Sequence, residues 1–259
     1  MGVKKFCGTF GSASFFSFGR DKIISSVFGG MVVTNNSKLA EKISKFKEKL
    51  DYPSGLWIFQ QLLHPVLVSH LILPAYKFPK FGKLLLGSLQ KLKILSKAVH
   101  RKEKKGKIPA YFPKRLPNAL AILALNQFKK LERFNSHRRE IAKFYEDGLR
   151  GSRFDLPFLR EDNRGVIFMR YPILVDDSNK ILKEARRKKI LLNDGWRKSP
   201  IVPPDTDIKK MKYIPGSCPK AERIAETILN LPTHINISQK DAQRILNFLK
   251  NYDIKRNNQ

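Results

Sequence analysis

Acidic residues are scarce in this chain: 22 Asp and Glu stand against 51 Lys and Arg in 259 residues, for a formal charge of +29. No acid precedes Asp21, and the scattered carboxylates offer no pair that spacing would place in one acid/base site. Cysteine is scarcer still. Cys7 and Cys218 lie far apart, with no C-x-x-C pair or Cys/His cluster, which excludes a disulfide framework and a zinc site and reads as two thiols of a reducing cytoplasm. His64, His70, His100 and His137 have no metal-ligand spacing. Gly-x-Ser-x-Gly, Walker and dinucleotide-binding glycine motifs are missing, so the common signatures of serine hydrolases and nucleotide-binding enzymes are excluded. Lys4, Lys5, Gly8 and Gly11 interrupt the N-terminal residues, leaving no apolar stretch of signal-peptide type.

What is present suffices for a folded protein. A hydrophobic content of 42% can bury a core in one large domain or two smaller ones. The basic excess points to anionic partners: a phosphorylated substrate, an anionic membrane surface or nucleic acid. Base-stacking and base-reading motifs are not evident, so no specific nucleic acid is expected.

Lys22 is the candidate for chemistry. It lies in Ser17-Phe18-Gly19-Arg20-Asp21-Lys22, between an apolar, strand-like stretch and the diglycine Gly29-Gly30. A lysine at a strand-to-loop junction, preceded by hydroxyl residues and followed by glycines, suits a Schiff base with pyridoxal phosphate. In a chain this basic, a solvated surface charge is the plain alternative. Ser17 can likewise be a strand-end serine bonded to its own backbone.

The Ser17 to Gly30 block resembles the nucleotide-sugar aminotransferases of the DegT family, whose pattern is Ser-Phe, three residues, Lys, then a loop ending in Gly-Gly. Two more blocks are similar in the family's order. Leu116 to Glu132, with Arg138, Ile141, Ala142 and Tyr145, looks like the long helix leaving the cofactor domain. Leu229-Asn230-Leu231-Pro232-Thr233-His234, with Ser238, Asp241 and Ile245, looks like the closing strand and helix. The resemblance implies an α/β fold, the C-terminal part of a fold-type-I PLP-transferase with a partial cofactor-domain sheet, a helical segment and a small αβ domain. It implies pyridoxal phosphate as cofactor, Lys22 as the Schiff-base lysine and Ser17 on the cofactor phosphate. A nucleotide-linked keto-sugar and an amino acid, normally glutamate, are the implied substrates, and a homodimer the implied assembly. The chain departs from the pattern where Gly19 replaces a histidine and Pro113 stands where an asparagine precedes Arg115. The family's aspartate for the pyridine nitrogen would lie upstream of Asp21, so the sequence reads as the C-terminal portion of an enzyme in the cytoplasm. The competing readings are a non-catalytic basic module that binds anionic membrane or polyanion, and a truncated product without independent function.

The expected organisation is a cofactor-domain remnant (1–50), an apolar and basic helical insertion (51–115), a connecting helix (116–150) and a small αβ domain (151–259). Strands are expected at Ala13–Phe18 and Gly30–Thr34, then a helix from about Leu39 capped by Ser37. Leu56 to Leu73 is apolar over nearly the length of a membrane span; Pro65, His64, His70 and Gln60-Gln61 argue against a span and leave a buried helical hairpin first, then a membrane-surface or partner-contacting helix, then a span as alternatives. Between Lys77 and Arg115, thirteen Lys or Arg accompany a single acid, Glu103, describing a basic amphipathic helix whose plain reading is a solvated face, with an anionic membrane surface or a lipid-linked or phosphorylated substrate next and nucleic acid last. One helix is expected from about Ala119 to Leu149, with Ala121, Leu125, Phe128, Leu131 and Phe134 on its core face. Beyond it are expected strands Val166–Val175 and Ile190–Leu192, a Pro-rich loop through Pro203-Pro204, and helices Ser178–Lys188, Pro219–Thr227 and Ser238 to about Lys250.

Overall fold

The computed structural model describes residues 8–76, 78, 81–109, 111–157, 166–192, 202 and 206–257. The chain divides into two compact units, residues 1–103 with 107–131, and residues 104–106 with 132–259.

The first unit begins with strands β1 (Ser14–Ser17) and β2 (Gly30–Val33), paired antiparallel with Ser17 opposite Gly30. Helix α1 (Ser37–Glu48) follows. Its cap is Asn36 rather than Ser37: the Asn36 Oδ1 accepts the Leu39 N–H at 3.0 Å, satisfying an amide the first turn leaves free. At its other end, Arg115 donates from Nε to the Lys47 carbonyl at 2.9 Å and from Nη2 to the Glu48 carbonyl, placing a cation on the negative end of the helix.

The apolar stretch is one continuous helix. Ser54 caps α2 (Gly55–Leu67), a π-helical turn carries the chain through Val68–Ile72, and α3 (Leu73–Ala75) completes it. The buried hairpin considered for this stretch is not formed, and only 11% of the helix's apolar window is buried. Gln61, Ile72 and Ala75 face the unit's interior, whereas Leu56, Phe59, Val66 and Leu73 are exposed. Among its described residues, the basic stretch that follows is helical only at α4 (Phe81–Lys91) and in a short 3-10 turn, Glu103–Lys105. Lys77 itself lies outside the described residues.

The single long helix expected from Ala119 is two helices, α5 (Asn118–Phe128) and α6 (Leu131–Leu149). At the break, the Lys129 and Lys130 amides turn back to the Gln127 carbonyl, and the two units divide there. The expected apolar stripe was also out of phase. Leu125 and Phe128 are exposed, while Leu120 and Ala124 in α5 and Ile141, Ala142, Tyr145 and Leu149 in α6 are buried.

The second unit is an αβ module. Strand β3 (Arg170–Leu174), shorter than Val166–Val175, pairs antiparallel with the later β4 (Ile228–Pro232). Tyr171 lies opposite Leu231 and Ile173 opposite Leu229, so all four turn one face of the pair into the core. Helices α6, α7 (Ser178–Arg187) and α9 (Gln239–Asn257) supply most of the rest of that core, and α8 (Pro219–Thr227) leads into β4. Ile190 and Leu192 are buried there without forming the expected strand. Pro203 and Pro204 lie outside the described residues, as does Cys7; Cys218 is a free thiol. A reciprocal capping box opens α9: Ser238 Oγ accepts the Asp241 N–H at 3.1 Å, and Asp241 Oδ2 accepts the Ser238 N–H at 3.0 Å.

Candidate active site

Where β1 ends, the chain makes a twelve-residue excursion and returns as β2. Backbone bonds close its base: the Phe18 N–H donates to the Gly29 carbonyl and the Ser26 N–H to the Phe18 carbonyl, both at 2.9 Å. The diglycine is a steric requirement of this closure. Gly29 has φ +134°, which L side chains rarely adopt, and a Cβ on Gly30 would fall 2.8 Å from the Phe16 carbonyl oxygen. Lys22 lies on this loop, exposed to solvent, its N–H donating to the Gly19 carbonyl at 3.1 Å. Ser17, also exposed, accepts the Gly19 N–H at its Oγ over 3.3 Å, which is the strand-end arrangement weighed for it. The loop thus presents an amine and a hydroxyl to solvent; among the described residues, no contact joins Lys22 to Ser17.

Beneath the loop lies a buried polar network that the sequence did not announce. Arg20 donates from Nη1 to the Ser96 carbonyl at 2.5 Å, and from Nη2 to the Gln61 Oε1 at 3.2 Å and to the Ser96 Oγ. The Ser96 hydroxyl in turn donates to Gln61 Oε1 at 2.6 Å. Gln61 is wholly buried, and its amide nitrogen donates to the Trp57 carbonyl and the Gln60 Oε1. The Arg20 guanidinium also lies over the Phe28 ring, 5.2 Å from its centroid. Burial lowers the Arg20 pKa to about 10 against the opposing pull of Asp21 and Tyr111. The His64 imidazole is pushed down to about 4, by burial first and by Arg20 second, and so stays neutral.

Aromatic rings complete the surroundings. Phe28, Trp57 and Tyr111 meet at centroid separations of 5.4 to 5.9 Å, and Tyr111 touches His100 and Phe112. The Tyr111 hydroxyl donates to Glu103 Oε1 at 3.0 Å; burial, then this bond, raises its pKa. Sequence spacing offered no signal for these partners, because Arg20 reaches Gln61 and Ser96 across separations of 41 and 76 residues. Arg115, which matches the family's arginine, is committed to the end of α1. His234 follows β4; partial burial, then Arg138, lowers its pKa. No group of three metal-ligating side chains occurs among the described residues.

The model of the DegT/DnrJ/EryC1/StrS aminotransferase family matches residues 2–50 and 88–250, more than half of the chain and inclusive of the Lys22 loop. The chain belongs to the DegT/DnrJ/EryC1/StrS aminotransferase family. Residues 51–87, which contain the exposed apolar helix, fall outside that match. Among curated proteins, the GDP-perosamine synthase of Escherichia coli O157:H7 is 27% identical over 145 residues, covering 56% of this chain and 27% of that protein. Among solved structures, a DegT/DnrJ/EryC1/StrS aminotransferase from Brucella abortus aligns at TM-score 0.61 and 19% identity, over 95% of this chain and 52% of its own. The Helicobacter pylori aminotransferase PseC, involved in biosynthesis of pseudoaminic acid, aligns at TM-score 0.60 and 20% identity, over 98% and 57%. Both agree with the α/β, fold-type-I architecture expected from the Lys22 block. The chain spans about half the length of these two relatives of known structure.

Proposed function

We propose that this chain is the lysine-bearing part of a PLP-dependent aminotransferase acting on a nucleotide-linked keto-sugar, completed by polypeptide outside these 259 residues. One observation carries the reading: the exposed Lys22 amine and Ser17 hydroxyl sit on a loop whose closure requires Gly29-Gly30, inside the family match. Their chemistry fits the group. Lys22 is free to tether an aldehyde, and Ser17 Oγ, still exposed, has donor capacity for a phosphate oxygen. When bound, pyridoxal phosphate supplies the electron sink that makes an amino acid's α-proton removable.

The chain's own groups have these roles in the proposal. Lys22 Nζ takes the proton from the donor α-carbon and later returns it. Ser17 Oγ holds the phosphate, and Arg20, locked to Ser96 and Gln61, fixes the loop two residues before the reacting lysine. Glutamate as donor and a homodimer belong to the same proposal, supported by family membership.

The test is reduction with borohydride in the presence of pyridoxal phosphate, followed by peptide mapping, on the chain joined to its upstream coding sequence and on the chain alone. Stoichiometric labelling of Lys22 in the joined protein, lost in Lys22→Ala, is expected. The chain alone is expected to transfer no amino group from glutamate to a nucleotide-4-keto-sugar above the Lys22→Ala control. Labelling centred on another lysine, or turnover by the chain alone, refutes the proposal.

A further inference from the structure

From Tyr52 to Lys102 the chain contains no Asp or Glu and eight Lys or Arg. Most of this acid-free stretch lies outside the family match, and it carries the greatest run of exposed apolar side chains. A core helix of a soluble protein would bury such residues. Here Leu56 is 81% and Phe59 60% exposed, and Val66 and Leu73 are open as well. Phe59 and Val66 lie seven residues, about two turns, apart and so share one side of α2, and Leu73 continues the exposed apolar surface beyond the π-helical turn. From Leu56 to Leu73 that stripe is roughly 25 Å long at 1.5 Å per residue. Phe78, Phe81 and Leu84 extend the exposed apolar surface into α4, beside Lys83.

The opposite side of the helix is engaged in the protein. Gln61, Ile72 and Ala75 are buried, and Gln61 is tied through Ser96 to the Arg20 cation. Crossing a bilayer would strip that face of its partners and expose a buried amide to hydrocarbon, at a cost of several kcal/mol. One face bound to protein, the other apolar, and a C-terminal flank that is basic and free of acid as far as Lys102 suit a helix lying in the plane of an interface.

We propose that the Gly55–Ala75 helix and α4 dock this protein on an anionic lipid bilayer, with Leu56, Phe59, Val66, Leu73 and Phe81 entering the headgroup boundary and the neighbouring lysines meeting the lipid charge. The docking surface is therefore centred on residues 55–91, N-terminal to much of the 77–115 stretch that composition alone suggested. The proposal is independent of the aminotransferase reading, since a vesicle measurement involves neither Lys22 nor a cofactor.

The experiment is sedimentation of the full chain with phosphatidylcholine vesicles containing 30% phosphatidylglycerol, against pure phosphatidylcholine, at 0.1 M and 1 M salt. Partitioning at least about tenfold stronger to the anionic vesicles is expected, weakening at high salt as the screening length falls from about 10 Å to about 3 Å. The exposed-site variant Phe59→Ser/Leu73→Ser/Phe81→Ser is expected to lose binding with an unchanged circular dichroism spectrum. Lys83→Glu/Lys91→Glu is expected to bind about tenfold more weakly or worse. Equal, salt-insensitive binding to both vesicles overturns the proposal, as does vesicle binding that survives the serine variant. Retention of the protein by membranes through alkaline carbonate extraction identifies a span and overturns the interfacial placement. Loss of self-association, rather than of lipid binding, in the serine variant identifies a second copy as the occupant and overturns it too.

Discussion

Replacing Gln61 by leucine removes the amide at the centre of the Arg20 network while keeping a side chain of similar volume in a wholly buried position. The Gln61 Oε1 accepts from both Arg20 Nη2 and Ser96 Oγ. Losing the charged bond costs about 1.5 kcal/mol, at the low end for such bonds because Arg20 keeps its contacts with Ser96, and the neutral one about 1 kcal/mol. Gln61→Leu should therefore destabilise the first unit by roughly 2 to 3 kcal/mol. Arg20→Leu forfeits that bond, both bonds to Ser96 and the contact over Phe28, but it also releases a desolvated guanidinium, which offsets most of the loss and leaves a cost of about 1 to 2 kcal/mol. In the double variant no charge is left facing an apolar side chain, and its cost should fall short of the sum by at least about 1 kcal/mol. Trp57 provides a local probe: its carbonyl accepts from Gln61, its ring packs on Phe28 and Tyr111, and Trp196→Phe leaves it the sole tryptophan. Urea titrations followed by Trp57 fluorescence then report the first unit. Additivity within about 0.5 kcal/mol, or a Gln61→Leu cost below that figure, refutes the account of Arg20 as an anchor shared with Gln61.

The same probe tests His64. Its folded pKa of about 4 lies below the usual 6.5, so between those values the unfolded chain binds more protons; stability is fully present above pH 6.5 and declines as pH falls towards 4. The Trp57 urea midpoint should drop from pH 7 to pH 5, and His64→Gln should flatten that drop; an unchanged slope in the variant refutes the assignment. In the second unit, a Cβ on Gly148 would lie 2.4 Å from Leu246 Cδ1, and Leu246 is itself buried. Gly148→Ala should thus lower stability by about 1 to 3 kcal/mol through overpacking, and a thermal midpoint at or above the parent's counts against this packing.

Local geometry is legible in the sequence and distant partnership is not. The Lys22 loop could be read because its closure depends on Gly29 and Gly30, residues within the motif itself. The Ser238 and Asp241 box was readable for the same reason: both partners lie within one helical turn. Helix α8 matched its expected bounds, with Pro219 in its first turn. Phase failed where apolar residues occur all around a helix. Leu120, Leu125 and Phe128 are equally hydrophobic, and only the tertiary fold selects Leu120 for burial. Leu56 to Leu73 had the same ambiguity in stronger form, since an almost wholly apolar run carries no polar stripe to mark its solvent side. Gln61 was read as evidence against a span, but its union with Arg20 and Ser96 could not be inferred from spacing.

The β1–β2 ladder has four residues in each strand, and among the described residues no third strand joins it. So short a ribbon is marginal alone, and its free edges can accept another backbone. Ser17, the last residue of β1, leads directly into the loop that carries Lys22. A strand that docks there and steadies the loop shares a thermodynamic cycle with anything Lys22 holds, and each must strengthen the other by the same factor.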